Sequence, residues 1–236
     1  MAVTLPSTHA AEAAANTEAE NLENFDEFDE FDENTVKTTD PLEKFNRIMF
    51  DVNEGLLKYV IGPIGQGYAN IIPQSGRDGI DRMFDNVRYP IRAVNNLLQF
   101  KFKNAGEETG RFLVNTTGGV LGFYDSADKW FELKPHNEDF GQTLGYWGVG
   151  TGAPLTLPLF GPSNIRDAFG KIPDHFLDPV SWITPQGASL AVTSGDKINW
   201  TSLHEEEYWT LRKDALDPYT FFRDAYTQHR EMKIKE

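Results

Sequence analysis

The stretch that decides the fold is Asp40-Pro41-Leu42-Glu43-Lys44-Phe45-Asn46-Arg47-Ile48-Met49-Phe50. Asp40 has a short side chain that accepts hydrogen bonds from the free N–H groups at a helix N-terminus, and Pro41 suits the first helical position. Glu43, three residues after Asp40, completes a capping-box pattern. An amphipathic helix is therefore predicted to begin at this point.

The residues that follow this start form two different lines at helical spacing. Apolar side chains recur at i, i+3, i+4 and i+7, which predicts a face packed against the protein interior. A neighbouring line alternates amide and apolar side chains, as a surface in contact with both lipid headgroups and acyl chains would require. The first line is Phe45, Ile48, Met49, Val52, Leu56, Tyr59 and Val60, and the second is Asn46, Phe50, Asn53 and Leu57.

Proline, glycine and capping residues divide the rest of the chain into further helices. Asp217 followed by Pro218 repeats the pattern of residues 40–41 and predicts the start of the last helix. Strand signals are scarce, since only Leu155-Thr156-Leu157 alternates cleanly between prolines. The predicted helices span residues 65–71, 75–87, 91–102, 105–117, 163–172, 186–211 and 218–232.

Residues 118–124 are apolar and rich in glycine, which is a poor composition for a helix interior. We interpret them as one arm of a hairpin-like loop. Together with the scarcity of strand signals, this interpretation predicts an all-α fold with one long glycine-rich hairpin loop.

Acidic residues are concentrated at the start of the chain. The 236 residues carry a formal net charge of -14, and eleven carboxylates fall within residues 1–40 against Lys37 alone. Residues 1–39 contain few large apolar side chains and are predicted to be a disordered acidic tail, followed by a single helical domain over residues 40–232. The Phe-Asp-Glu triplets at residues 25–33 are either a docking peptide for a basic, apolar groove or a solvated tether.

No part of the chain has the pattern of a membrane-spanning helix or a signal peptide. The longest stretch without charge, residues 140–165, is interrupted by glycine and proline and cannot form a helix exposed to lipid. Residues 1–16 lack the positive and apolar regions of an export signal. We therefore expect that any native export signal has been replaced or trimmed.

The motifs that imitate catalytic sites fail on their context. Residues 148–153 match G-x-G-x-x-A, but Pro154 follows and no helix opens there. Ser163 lacks the glycine of a nucleophile elbow two residues later and is predicted to cap the next helix. The chain has no cysteine, and none of its five histidines forms a metal-binding pair on one helix face. The sequence therefore predicts no enzyme activity, no cofactor and no metal site, and the lack of a basic stripe argues against nucleic acid as a partner.

Several aromatic residues lie in uncharged, glycine-rich surroundings. Rings of this kind are common at a membrane–water interface, where one end of the ring is in an apolar medium and the other is hydrated. A plain aromatic core is the alternative, and composition alone does not separate the two. The residues are Phe123, Tyr124, Trp130, Phe131, Phe140, Tyr146, Trp147 and Phe160.

Blocks of sequence in one consistent order resemble the MlaA/VacJ family. The opening segment, residues 40–50, is similar to the family pattern DPLExFNRxMF, and residues 111–116 are similar to its RFxxNT segment. The resemblance covers about residues 40–230. The other matching blocks are Phe140-Gly141-Gln142-Thr143-Leu144-Gly145, Trp147-Gly148-Val149-Gly150, Leu157-Pro158-Leu159-Phe160-Gly161-Pro162-Ser163, Arg166-Asp167 and Asp217-Pro218-Tyr219.

The resemblance implies a ring-like arrangement of amphipathic helices in the inner leaflet of the outer membrane, on its periplasmic side and beside a porin trimer. It also implies an amphipathic channel through which phospholipid passes to a periplasmic lipid-carrier protein, so that lipid asymmetry is preserved. The channel-side residues that it implies are Met49, Phe50, Asp51, Val52, Asn53, Gly118, Gly119, Val120, Leu121, Phe123, Tyr124 and Phe140.

The chain departs from the family pattern in two places. It has no cysteine to carry the family's lipid anchor, so we expect either a trimmed anchor or attachment through amphipathic helices alone. Residues 51–55 read Asp-Val-Asn-Glu-Gly where relatives often carry a stretch rich in Asn and Phe. The competing interpretation is a soluble periplasmic binding or scaffold protein without a lipid channel, and an esterase or phospholipase ranks third.

Overall fold

Helices make up most of the structure. The computed structural model describes residues 39–236, so the predicted acidic tail and its Phe-Asp-Glu triplets lie outside the described residues apart from Thr39. The predicted all-α fold class is confirmed. The α-helices are α1 (Glu43–Leu56), α2 (Gly62–Ala69), α3 (Gln74–Val87), α4 (Tyr89–Leu98), α5 (Phe102–Thr117), α6 (Ser126–Phe131), α7 (Phe140–Tyr146), α8 (Ile165–Leu177), α9 (Gln186–Asp214) and α10 (Pro218–Lys235). A π-helix (Leu57–Ile61) joins α1 to α2, and a 3-10 helix (Pro179–Trp182) precedes α9.

One antiparallel β-hairpin lies between α7 and α8. Strand β1 (Pro154–Leu157) pairs with β2 (Gly161–Asn164), and Leu155 lies opposite Ser163. The strand-like alternation noted at residues 155–157 thus falls in β1. The hairpin packs against α1, α8 and α10.

Short polar side chains fix where the helices begin. Asp217 accepts a hydrogen bond from the Thr220 N–H at the start of α10, as predicted. The prediction that Asp40 is the N-cap of α1 is wrong, because its Oδ1 accepts from the Leu42 N–H at 2.9 Å in a turn and the helix begins later, at Glu43. The prediction for Ser163 is also wrong, because Ser163 lies in β2 and the next residue, Asn164, caps α8.

The interior of the described structure is largely polar. Most of its buried polar side chains form hydrogen bonds, as their desolvation requires, and Arg77 Nε and Asn96 Oδ1 are exceptions. Glu108, for example, accepts hydrogen bonds from Arg92 Nε and from the His136 N–H, both at 2.6 Å. The largest fully buried side chains are Gln99, Glu108, Asn46, Asn95, Asn96 and Asn199.

The packed face predicted for α1 is wrong. Ile48 is 58% exposed and Tyr59 is 73% exposed, although both belong to the apolar line. Asn46 and Phe50, from the line predicted to touch lipid, are buried instead. Helical periodicity shows that a helix has two unlike faces, but it does not show which medium each face meets. In α1 the line that contains amides faces the protein, and apolar residues face outward.

Residues 118–124 form a compact turn between α5 and α6 rather than an extended hairpin arm. The Leu121 N–H donates to the Thr116 carbonyl at 3.1 Å, and the Tyr124 N–H donates to the Gly119 carbonyl at 2.8 Å. A Cβ atom at Gly119 would lie 2.2 Å from the Tyr124 carbonyl oxygen, so this turn requires glycine there. Helix α6 follows this turn, and α7 lies at the start of the charge-free stretch. Both are too short to show a helical period and were not predicted.

Candidate functional site

Two asparagines of α1 hold the β-hairpin by its backbone. Asn46 Nδ2 donates to the Pro154 carbonyl at 3.0 Å, and Asn46 Oδ1 accepts from the Thr156 N–H at 2.8 Å. Asn53 Nδ2 donates to the Leu157 carbonyl at 2.9 Å, and its Oδ1 accepts from the Leu159 N–H at 2.8 Å. Residues seven apart lie on the same face of a helix. The register of α1 therefore fixes the position of the hairpin.

Phe50 lies between these asparagines, inside the protein. Its ring centroid is 6.1 Å from the centroids of both Tyr219 and Phe222 on α10. The aromatic contact joins α1 to the C-terminal helix. Of the other residues predicted from this helix for the lipid path, Met49 and Asn53 are half-buried, and Asp51 and Val52 are exposed.

A groove with a volume of about 540 Å³ lies between the end of α1, the π-helix and the last turns of α9. This volume is within the range of small-molecule sites. In its wall Glu54 accepts two hydrogen bonds from Arg212, at 2.6 and 3.1 Å, and one from the Tyr208 hydroxyl at 3.2 Å. Burial, followed by the nearby Glu54 carboxylate, raises the pKa of Tyr208. The lining residues are Asp51, Glu54, Gly55, Lys58, Tyr59, Trp209, Arg212 and Lys213.

The turn at residues 118–124 presents two apolar side chains to the outside. Val120 and Leu121 are exposed and have φ angles of 56° and 60°, a left-handed conformation that is rare for branched residues. Asn86 Nδ2 donates to the Leu121 carbonyl at 3.3 Å, and Arg82 Nε donates to the Phe123 carbonyl at 3.1 Å. Polar side chains of α3 thus hold the turn in this conformation.

Phe140 lies at the start of α7, where it is half-buried. Its N–H donates to the carboxylate of Asp174, at 3.1 Å to Oδ2. Burial raises the pKa of Asp174 to about 6, although hydrogen bonds from Phe140 and Asn95 oppose that effect. The carboxylate fixes the N-terminus of α7 against α8.

The lipid-path residues predicted from the sequence fall into three separate groups. Among residues 39–236, no hydrogen bond or ring contact joins residues 49–53 to residues 118–124 or to Phe140. Of the residues that line the groove beside α1, only Asp51 was among those predicted for the lipid path. Its walls come from residues 51–59 and 209–213, and neither stretch has a local pattern that indicates the other.

Large apolar side chains cover much of the outside of the described structure. On α8, for example, three of them recur at i, i+3 and i+7 and form one stripe. They are Phe169, which is 66% exposed, Ile172 and Phe176. Similar exposed side chains occur on every long helix, so the apolar surface is a general property of the fold and not a single patch.

Two kinds of feature are absent from the described residues. Across residues 39–236, no three His, Asp or Glu side chains converge in a way that would hold a metal ion. Over the same residues, no helix combines the length and the apolar character needed to cross a bilayer.

The comparison with known families agrees with the order of the sequence blocks. The family model described as MlaA lipoprotein matches residues 38–233. This chain belongs to the MlaA family. The resemblance read from the sequence is therefore confirmed, and it covers nearly all of the structure described above.

MlaA relatives are known in sequence and in structure. The intermembrane phospholipid transport system lipoprotein MlaA of Escherichia coli K12 is 33% identical over 199 residues, which cover 82% of this chain and 77% of the relative. An uncharacterized protein of Rickettsia bellii is 34% identical over 199 residues, with 83% and 77% covered. A structure solved in a study of how bacterial outer membrane lipid asymmetry is maintained matches with a TM-score of 0.72 at 30% identity, and the match covers 83% of this chain and 99% of that one. The Escherichia coli relative is thus named for phospholipid transport.

Proposed function

We propose that this protein passes phospholipid from the outer membrane toward a periplasmic lipid carrier and so maintains the lipid asymmetry of that membrane. It acts at the periplasmic side of the membrane, without catalysis, beside a porin trimer. The fold and the family membership support this proposal, and one structural observation carries it.

That observation is the reversed distribution of polar and apolar side chains. The largest fully buried side chains are all polar, whereas many large apolar side chains are exposed. Leaving a large apolar side chain in water forgoes roughly 1.5–3 kcal/mol relative to burying it. A surface of this kind is stable when acyl chains cover it, and this favours residence in a lipid leaflet over the soluble scaffold.

The lipid path in this proposal uses the residues implied by the family resemblance. Asp51 and Val52 are exposed on the outer side of α1. The groove beside α1, which is also lined by Lys58 and Trp209, opens there. Exposed Val120 and Leu121 form an apolar tip elsewhere on the protein. A path that carries a phospholipid needs both kinds of surface, because one end of the lipid is charged and the other is apolar.

Charged substitutions on the apolar stripe of α8 are expected to release the protein from membranes. Phe169→Asp combined with Phe176→Asp places two carboxylates where acyl chains are proposed, at a cost of roughly 2.5–3.5 kcal/mol each. The matched control is Gln186→Asp with Ser194→Asp, which adds the same charge at exposed polar positions. Fractionation of cells at equal expression should show the first variant mainly outside the membrane fraction and the control within it. Equal partitioning of the two variants, with both folded by circular dichroism, would contradict membrane residence through this surface.

The purified protein is expected to carry diacyl phospholipid and to leave it chemically intact. The groove beside α1 offers polar and apolar contacts, and the described residues hold no metal-binding cluster. Solvent extraction followed by mass spectrometry measures the bound lipid and any lysolipid or fatty acid. Release of fatty acid that disappears on replacement of a single Ser or His would establish the enzyme interpretation instead. A protein that is monodisperse without detergent and free of lipid would favour the soluble scaffold.

A further inference from the structure

Two lysine side chains from different helices converge on one exposed aromatic ring. The ring is that of Phe160, in the turn of the β-hairpin, and it is 64% exposed. Its centroid lies 5.8 Å from Lys171 Nζ of α8 and 5.9 Å from Lys197 Nζ of α9. Lys197 Nζ also lies 5.4 Å from the ring centroid of Trp200. The hairpin turn, α8 and α9 thus place two ammonium groups beside two aromatic rings.

Neither ammonium group has a carboxylate partner within residues 39–236. No carboxylate oxygen of the described chain lies within 4.0 Å of Lys171 Nζ or Lys197 Nζ. The nearest acidic groups, Asp196 and Asp174, act on these lysines only through space and make their direct contacts with other residues. Asp196 forms an ion pair with Arg88, and Asp174 accepts hydrogen bonds from Asn95 and from the Phe140 N–H. The positive charge of the two lysines is therefore not compensated by a direct ion pair.

Placing these two exposed ammonium groups near each other has a modest electrostatic cost. Desolvation lowers the pKa of Lys197; the negative charge of Asp196 opposes this effect, and the positive charges of Lys171 and Arg88 add to it. Like charges near one another in a medium of reduced dielectric repel. Cation–π contacts with the rings recover only part of that cost. An anion bound beside the two ammonium groups would offset their repulsion.

We infer that Lys171 and Lys197 bind the phosphate group of a phospholipid headgroup, with the rings of Phe160 and Trp200 against its glycerol and acyl portion. Two ammonium groups from two helices can donate charge-assisted hydrogen bonds to the oxygens of a lipid phosphate. The exposed rings and the adjacent exposed Leu159 supply apolar contacts that an inorganic ion does not use. This inference rests on the proposed function and names the headgroup chemistry that the protein recognises.

The test uses two double variants with the same change in charge. Lys171→Gln with Lys197→Gln removes the pair, and Lys44→Gln with Lys235→Gln removes two exposed lysines elsewhere. Full-length proteins in detergent are titrated with a fluorescent phosphatidic acid and with a diacylglycerol of the same acyl chains. We expect the first variant to bind phosphatidic acid at least about tenfold more weakly than wild type, with diacylglycerol binding unchanged and the control like wild type. Lys171→Arg with Lys197→Arg, which keeps both charges, should retain most of the affinity.

Other outcomes would overturn the assignment. Equal loss of phosphatidic acid and diacylglycerol would show that the lysines shape the fold, a conclusion that a lowered melting temperature would support. Inorganic phosphate that binds wild type but not the Gln variant, while lipid binding stays unchanged, would assign the pair to free phosphate. If the Gln variant binds phosphatidic acid like wild type, the pair is not a headgroup site, yet phospholipid transport stands. If wild type binds neither lipid, the proposed function itself fails.

Discussion

Deletion of Asp51 and Val52 together is expected to deregulate lipid passage much more than truncation of their side chains. Two residues correspond to about 200° of rotation and about 3 Å of rise in an α-helix. The segment after position 52 would therefore turn relative to Asn46, which stays bound to β1. Asn53 would lose its two hydrogen bonds to the hairpin, and Glu54 would lose its ion pair with Arg212. The groove beside α1 would change its lining, because residues 51–59 form one wall.

The matched controls separate the register of the helix from the chemistry of the two side chains. Asp51→Ala with Val52→Ala removes both side chains and keeps every later residue in place. Since Val52 is 43% exposed, its truncation should cost less than about 1 kcal/mol of folding free energy. The readout is the phospholipid content of the outer leaflet and the detergent sensitivity of cells that make equal amounts of each variant. A deletion variant that is folded, located in the membrane and indistinguishable from wild type would show that α1 does not line the lipid path.

Arg230→Met is expected to destabilise the fold by about 3–5 kcal/mol, the usual effect of removing one partner from a buried ion pair. Arg230 Nη1 and Nη2 donate to Asp139 at 2.6 and 2.7 Å, and its Nε donates to Asp167 Oδ2 at 2.9 Å. Asp139 caps α7 and Asp167 lies in the first turn of α8, so this one side chain of α10 joins three helices. Methionine would leave the buried carboxylate of Asp167 and the partly exposed carboxylate of Asp139 without that cation.

Arg47→Met is the matched control, because Arg47 also makes a bidentate pair with an aspartate. Its Nη1 and Nη2 donate to Asp217 at 3.0 and 2.6 Å, but both side chains are about two-fifths exposed. Exposed ion pairs contribute about 0–1 kcal/mol, so the expected loss is at most that. Denaturant titration in detergent, followed by circular dichroism, measures both variants. Equal shifts of the two midpoints would show that the Arg230 cluster does not stabilise the junction of α7, α8 and α10 as described.

The ion pairs of Arg230 with Asp139 and Asp167 also predict that the stability of the fold depends on pH. In Asp167, burial alone would raise the pKa, but Arg230, Tyr226 and Arg166 outweigh it and hold the pKa below its ordinary value. The folded state therefore binds this proton less readily than the unfolded state does. The resulting stabilisation is present above about pH 4, the ordinary range of an aspartate, and is lost as the pH falls toward the lower pKa of the folded state. In Arg230→Met this loss in acid should be smaller than in wild type.

The positions of most helices follow from local chemistry and were predictable. Asp217 and Pro218 begin α10 because a carboxylate cap and a fixed φ angle act within one helical turn. The strand at residues 155–157 was likewise visible between prolines, although its partner β2 was not predicted. Helices α6 and α7 could not be recognised, since six or seven residues do not establish a helical period.

The candidate site was predicted only in part, because its contacts join distant positions. Asn46 and Phe50 were recognised as members of an unusual mixed line, but their partners in the hairpin and in α10 lie more than one hundred residues away. Nothing local in the sequence indicates that Lys171 and Lys197 meet at the ring of Phe160. The proposed headgroup site emerged only from the tertiary structure.

The sequence by itself determined the helical class, the positions of the main helices and the family, since each depends on local spacing or on ordered motifs. Only the tertiary structure decided which face of each helix lies inside. In water the apolar face of an amphipathic helix turns inward, and that expectation was wrong for α1. Here hydrogen-bonded amides and ion pairs form the interior, and apolar side chains such as Ile48 and Phe169 lie outside. The hydrophobic effect separates polar from apolar side chains both in water and in a lipid leaflet. Where acyl chains cover the surface, apolar side chains can lie outside at little cost in free energy. The polar side chains must then find hydrogen-bond partners within the fold.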